Sequence, residues 1–475
     1  MVDVFRWGVK IPQNCPHSRS IPPLLTVSVL ILSSMAGFLM EPNSQLEEGT
    51  ETYDRMWTDA PDEITQSTTW TAAESPYYAN STVSVAQGET LTIEQGVVVY
   101  LDSGAVLEIR GATLDVSGTA EEPVVFAPRP GLGPESPWGG ILIYSETGPD
   151  DYPANLMMSN AVIEGASMGI DASPQTEGSP TLSVTISDSV LSDNSCGIRA
   201  SDAASISVYN SYFINSPVCS DNSIPTPAEF SITYSTFIGS HITWHSGEVE
   251  RNLIVPLQTE SSESVEVNGF LEKPPGDTFR WNCVDKAELH FTVNDHETQN
   301  VGVVSNNTFF RSHSPFHMEQ SDWKPAEFHG NNFLETSDNA FVLDDWQVFM
   351  TENWWGTTNT SEIDEMIWDE SDNGSGLAWN AYFLPILTSQ QDFPCQDAGA
   401  ELSWYDPGPI SIPNVVQYGQ TLSAGGRQTC GIMDNGTVHC WGSGVSSIGP
   451  GAAPINAISI SAGAHHTCAI LENGS

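Results

Sequence analysis

The chain has 475 residues, 60 of them acidic and 14 basic, for a net charge of −46. That balance excludes nucleic-acid binding, which needs Lys and Arg against phosphate, and docking on anionic lipid. With 39% hydrophobic residues the acidity is that of a solvated folded surface, not of a disordered chain, and the length suits two to four domains.

The first predicted element is "LLTVSVLILSSMAGFLM", Leu24–Met40, which carries no charge. Arg6, Lys10 and Arg19 precede it and an acidic stretch follows. A positive flank, an apolar core and an acidic exit describe a signal peptide or signal anchor over residues 1–40. The expectation is export to the cell surface or the extracellular space, with a membrane contact through this segment if it stays uncleaved. Cysteine use agrees: none of the eight cysteines has the CxxC spacing of a zinc or thiol-redox motif. Asn80, Asn306, Asn359, Asn373, Asn435 and Asn473 stand in glycan-acceptor triplets. Residues 41–75 are acidic and weakly periodic and read as a linker.

From residue 76 the texture changes to short alternating strands. Val83/Val85, Leu91/Ile93, Val97/Val99, Leu107/Ile109, Leu114/Val116 and Val124/Phe126 each place two apolar side chains on one face, and glycines at 88, 96, 104, 111 and 118 punctuate them. A hexad then repeats: apolar, two residues, Asn or a small residue, any residue, apolar or aromatic. Its copies are "MSNAVI" (158–163), "ISDSVL" (186–191), "VYNSYF" (208–213), "ITYSTF" (232–237), "VERNLI" (249–254), "VSNNTF" (304–309), "FHGNNF" (328–333) and "MTENWW" (350–355). Most neighbouring copies lie 22 to 28 residues apart, the length of one coil of a parallel β-helix. Asn at a fixed turn position is expected to take the left-handed backbone such bends need. The gap between residues 254 and 309 holds two degenerate coils, or one coil and a loop.

"TLTIEQGVVVYLDSGAVLEIRGATLDVSGTAEEPVVFAP" followed by "WGGILIY" resembles the opening coils of right-handed parallel β-helix proteins of bacterial and archaeal surfaces, in the pectate-lyase-like superfamily. "NWWGTTNTSEIDEMIWDESDNGSGLAWNAYFLPIL" resembles their closing segment, which implies a helix over Ser361–Trp368, capped by Thr360 or Ser361, with Glu362 in its first turn. The β-helix is expected over residues 76–390 and a Pro-rich linker over 391–420. In residues 421–475, "SAGGRQTCGIMDNGTVHCWG" and "SAGAHHTCAILENGS" repeat with an offset of 38 and resemble the regulator-of-chromosome-condensation repeat. This implies the first one to two blades of an incomplete β-propeller, read here as an interaction scaffold, and a chain that is a fragment of a longer product. The fold class is all-β throughout.

Enzymes occur among parallel β-helices, so a polysaccharide lyase or glycoside hydrolase acting in the β-helix groove is the alternative to a non-enzymatic protein that binds polysaccharide or a surface protein. The best catalytic group is Asp344 and Asp345 with Arg311, His313, His317 and His329 about one coil away; the commoner reading of such a group is a solvated turn. "DESDNGS" offers a partial Ca²⁺ loop at Asp369, Ser371 and Asn373, with Asn380 where Glu is expected; no other cofactor is implied. Histidines 241, 245, 290 and 296 form loose pairs that fall short of a copper site. Trp138, Trp244, Trp323, Trp346 and Trp379 are either exposed platforms for sugars or rings buried at coil corners. Cys196 and Cys219 fall at nearly the same place on successive coils, within disulfide reach, and Cys430 and Cys440 flank an Asn-Gly hairpin that they can bridge. The absence of a complete catalytic constellation favours the non-enzymatic reading.

Overall fold

The computed structural model describes residues 57–471 apart from 147–150, 173–181, 202–203, 221–227, 245, 258–264, 271–277, 294–302, 312–315, 321–326, 336–340, 344–347, 370–371, 373–380, 392–394, 396–397, 406, 408–421, 426–427, 433–437, 443–456 and 463–466. Residues 1–40, where a signal peptide or signal anchor is expected, lie outside it. Among the described residues no helix is long and apolar enough to cross a membrane. The chain divides into two compact units, one of residues 55–415 and one that contains residues 416–475.

Residues 55–415 form a parallel β-solenoid. Three sheets of 12, 13 and 11 strands are built by taking every third strand along the chain, so each coil adds one strand to each sheet. The first sheet runs from Thr58–Asp59 to Asn332–Leu334, the second from Glu63–Ile64 to Ile367–Trp368, and the third from Thr68–Trp70 to Glu327–His329. The first coil therefore begins inside the segment read as an acidic linker: Thr58 pairs with Tyr77, Ile64 with Val85 and Trp70 with Ile93. This coil escapes notice because it buries only Ile64 and Trp70 amid polar neighbours.

Register stacks like on like. In the third sheet Val116, Met158, Ile186, Val208, Ile232, Val249, Phe279, Val304 and Phe328 form one continuous inward column. In the first sheet the column includes Phe213, Phe237, Phe309 and Phe333, with Phe213 stacked on Phe237 at 4.6 Å and Phe309 on Phe333 at 5.4 Å between centroids. The gap from 254 to 309 contains one further hexad, Phe279–Val284, whose strands pair with both neighbours.

The fourth position of the hexad is a buried polar ladder. The backbone N–H of Ser189 donates to Ser211 Oγ, Ser211 to Ser235 Oγ, Ser235 to Asn252 Oδ1, Asn252 to Asn282 Oδ1, Asn282 to Asn307 Oδ1, Asn307 to Asn331 Oδ1 and Asn331 to Asn353 Oδ1, all at 2.8–3.2 Å. The asparagine amides also donate to carbonyls of the preceding coil, as Asn307 Nδ2 does to Phe279 O at 2.9 Å. This corrects the expectation that the hexad's asparagine takes the left-handed bend. The left-handed residue is the one before it: Asn160, Asp188, Asn210, Tyr234, Arg251, Trp281, Asn306 and Glu352 have φ between 47 and 59°. In the opening coils the glycines at 88, 96, 104 and 111 take positive φ instead.

The helix spans Thr360–Met366 and its cap is Asn359, whose side chain accepts from Ser361 N. Asn359 Nδ2 and Thr357 Oγ1 both donate to Glu362, which lowers that carboxyl's pKa. Ile367–Trp368, read from sequence as the end of the helix, is instead the last strand of the second sheet.

Residues 387–405, largely read as linker, are in their described part a strap that runs back along the outer side of the first sheet. Leu387 N donates to Asn353 O, Gln391 N to Asn332 Oδ1, Gly399 N to Arg251 O, Ala400 N to Thr236 Oγ1 and Glu401 N to Asn210 Oδ1. Cys395 is disulfide-bonded to Cys283. Under the strap lies a second apolar cluster of Val190, Tyr212, Ile238, Leu253, Val255 and Phe310, so these short strands are buried on both faces.

The second unit has antiparallel strands. Leu422–Gly425, Gln428–Ile432 and Val438–Gly442 form one sheet, in which Cys430 lies directly opposite Cys440. Ala457–Ala462 pairs with Thr467–Leu471.

Candidate functional site

The three catalytic candidates among the described residues belong to different sheets. Arg311 sits at a left-handed corner leaving the first sheet and holds Asp285, which is 2% exposed, through Nε at 2.8 Å and through Nη2. Its guanidinium is thereby committed to neutralising a buried carboxylate. His317 lies in the second sheet in register with His290, and His329 ends a strand of the third sheet. Asp344, Asp345 and His313 lie outside the described residues, among which no group of three or more His, Cys, Asp or Glu can hold a metal ion.

Of the partial calcium loop, Ser371 and Asn373 lie outside the described residues, and Asp369 Oδ2 accepts from Ala381 N at 3.0 Å. Cys196 and Cys219 are disulfide-bonded, with Cα atoms 6.3 Å apart. Trp138 and Trp244 are 0% exposed and belong to the core, so neither is a platform for sugars. Trp323, Trp346 and Trp379 lie outside the described residues.

A polar cluster on the second sheet is closed on itself. Glu108 accepts from Ser84 Oγ and Tyr144 Oη, both at 2.9 Å, and Arg110 pairs with Glu146 at 3.0 Å. Burial, followed by the hydrogen bond to Glu108, pushes the Tyr144 phenol up to about 12. A phenol held protonated in this way is no general base at neutral pH.

A partly exposed ridge runs along the corner between the third and first sheets. Here the left-handed position carries Tyr234, Arg251 and Trp281 on three successive coils, whereas neighbouring coils carry Asn160, Asp188, Asn210, Asn306 and Gly330. Asn, Asp and Gly accept this backbone cheaply; a bulky residue there costs on the order of 1 kcal/mol. Tyr209, beside the corner one coil earlier, is 50% exposed and meets Tyr234, 38% exposed, edge-on at 5.7 Å. The Arg251 guanidinium lies 5.6 Å from the Tyr234 ring centroid and 4.8 Å from that of Trp281, with Arg280 5.4 Å from the latter. These contacts order the four side chains without removing them from water. Successive coils are about 4.8 Å apart, close to the length of one pyranose unit, so the ridge offers rings at the repeat of an extended sugar chain. Tyr234, Arg251 and Trp281 occupy the variable third position of the hexad, and the signal that marks them is the departure of three consecutive copies from Asn, Asp or Gly.

Residues 62–181 match the family model of a pectate-lyase-like β-helix domain. The ridge lies beyond the matched residues. No curated protein and no solved structure is significantly similar to the chain.

Proposed function

We propose that the chain is an exported surface protein that binds polysaccharide along the Tyr209–Trp281 ridge without cleaving it. The observation that carries this reading is the row of exposed and half-buried aromatic rings and arginines on consecutive coils, with Tyr234, Arg251 and Trp281 held at a backbone position where the fold itself favours Asn or Gly. Dispersal of Arg311, His317 and His329 over different sheets supports binding over turnover. The charged leader flank before Leu24–Met40 and the disulfides support export. The repeats of residues 421–475 serve as a further interaction scaffold, the start of a propeller of the regulator-of-chromosome-condensation type.

Affinity electrophoresis of the chain through gels containing single polysaccharides tests the reading. Tyr234→Asn with Trp281→Asn keeps the corner's backbone preference, so the double variant is expected to fold and to lose at least tenfold in affinity. Retained binding by the double variant removes the ridge from the function. Release of unsaturated or new reducing ends by the wild type establishes the lyase or hydrolase alternative instead.

A further inference from the structure

Resting on the polysaccharide-binding reading, we infer that the ridge selects an anionic glycan and that Arg251 is the residue that recognises its carboxylate or sulfate group. Six arginines are described. Five of them are ion-paired: Arg110 with Glu146, Arg129 with Asp102, Arg199 with Asp171, Arg280 with Glu250 and Arg311 with Asp285. Arg251 has no carboxylate partner among the described residues, although acidic residues outnumber basic ones 60 to 14. Its guanidinium lies over the rings of Tyr234 and Trp281, and among the described residues no side-chain N–H of Arg251 has a hydrogen-bond acceptor. Its backbone is fixed as well: Arg251 N donates to Arg280 O, and its carbonyl accepts from Gly399 of the strap. A planar donor fork, oriented in advance between two stacking platforms, is the arrangement that recognises a planar carboxylate or a sulfate oxygen pair on a sugar lying across the rings.

The net charge of −46 does not oppose this, because charges beyond about 8 Å are screened at physiological ionic strength. Glu250, the acidic residue that precedes Arg251 in the chain, is ion-paired with Arg280 at 2.9 Å. A single unpaired arginine engages one anionic substituent of the glycan at a time. It does not suit a polyphosphate backbone, whose binding scales with the number of cations engaged.

The test pairs each anionic glycan with its neutral counterpart: alginate with its methyl ester, and dextran sulfate with dextran. Affinities are measured for wild type, Arg251→Asn and the Tyr234→Asn/Trp281→Asn double variant. Asn occupies the same corner on three other coils, so Arg251→Asn is expected to fold. The expected result is at least a tenfold preference of the wild type for one anionic member over its neutral partner, abolished by Arg251→Asn. Preference for alginate assigns a carboxylate as the recognised group, and preference for dextran sulfate assigns a sulfate. Equal affinity within both pairs, or a preference that survives Arg251→Asn, overturns the inference while leaving the ridge reading intact wherever the double variant loses binding. Absence of binding to all four overturns both.

Discussion

At the scale of single residues, the hexad's asparagine is a structural cross-brace. Removing the Asn307 side chain strands the buried N–H of Asn282, one amide hydrogen of Asn282 Nδ2 and the carbonyl of Phe279. Asn307→Ala is expected to cost about 3 kcal/mol, and Asn307→Ser about half that, since Ser189, Ser211 and Ser235 do the same work on other coils. Denaturant midpoints check both. Tyr144 gives a pH signature. Its folded pKa, about 12, lies above the ordinary phenol value, so its contribution is fully present below pH 10 and is lost as pH rises through the folded value. Tyr144→Phe is therefore expected to lose less stability than wild type between pH 9.5 and 11.5, by up to about 2 kcal/mol. Thermal scans across that window decide it, and parallel curves contradict the assignment. The hexad itself was legible in the sequence, but the roles of its third and fourth positions were not. Asn is favoured both at left-handed bends and in stacked amide ladders, so its identity alone does not say which it occupies. The ridge was missed for the same reason: its residues fill a position that looks unconstrained.

At the scale of elements, inward alternation along the opening strands announced the coils, because period-two burial is written directly into side-chain type. The strap was not legible. Its anchors Tyr212, Leu253 and Phe310 stand next to inward residues, and on a bare solenoid they would be exposed apolar side chains. Only a distant segment explains them. The Cys283–Cys395 bridge closes a separation of 112 residues, for which loop-closure arguments give about 3–5 kcal/mol. Cys283→Ser/Cys395→Ser is expected to lose stability of that order, with protease cleavage at the strap appearing before loss of the β-sheet circular dichroism signal. Simultaneous loss of both signals would show that the strap has no unfolding step of its own.

At the scale of the molecule, a solenoid's stability is a sum of coil and neighbour terms, and the acidic surface sets its dependence on ionic strength. Sixty acidic against 14 basic residues repel one another most at low salt. Raising sodium chloride from about 0.01 to about 1 M shortens the screening length from roughly 30 to 3 Å, so the melting temperature is expected to rise over that range. A melting temperature that falls with salt would mean that the ion pairs outweigh the repulsion.

The strap also determines how the molecule bears load. A pull on residues beyond Cys395 passes through the disulfide to Cys283 and from there toward the opening coils. Residues 284–394, which include the Thr360–Met366 helix and the closing coils, lie outside that tensile path. A parallel solenoid tugged at its last strand would otherwise peel coil by coil. Here the covalent shortcut moves the point of loading to the interior of the stack, where neighbouring coils on both sides and the strap itself resist in shear.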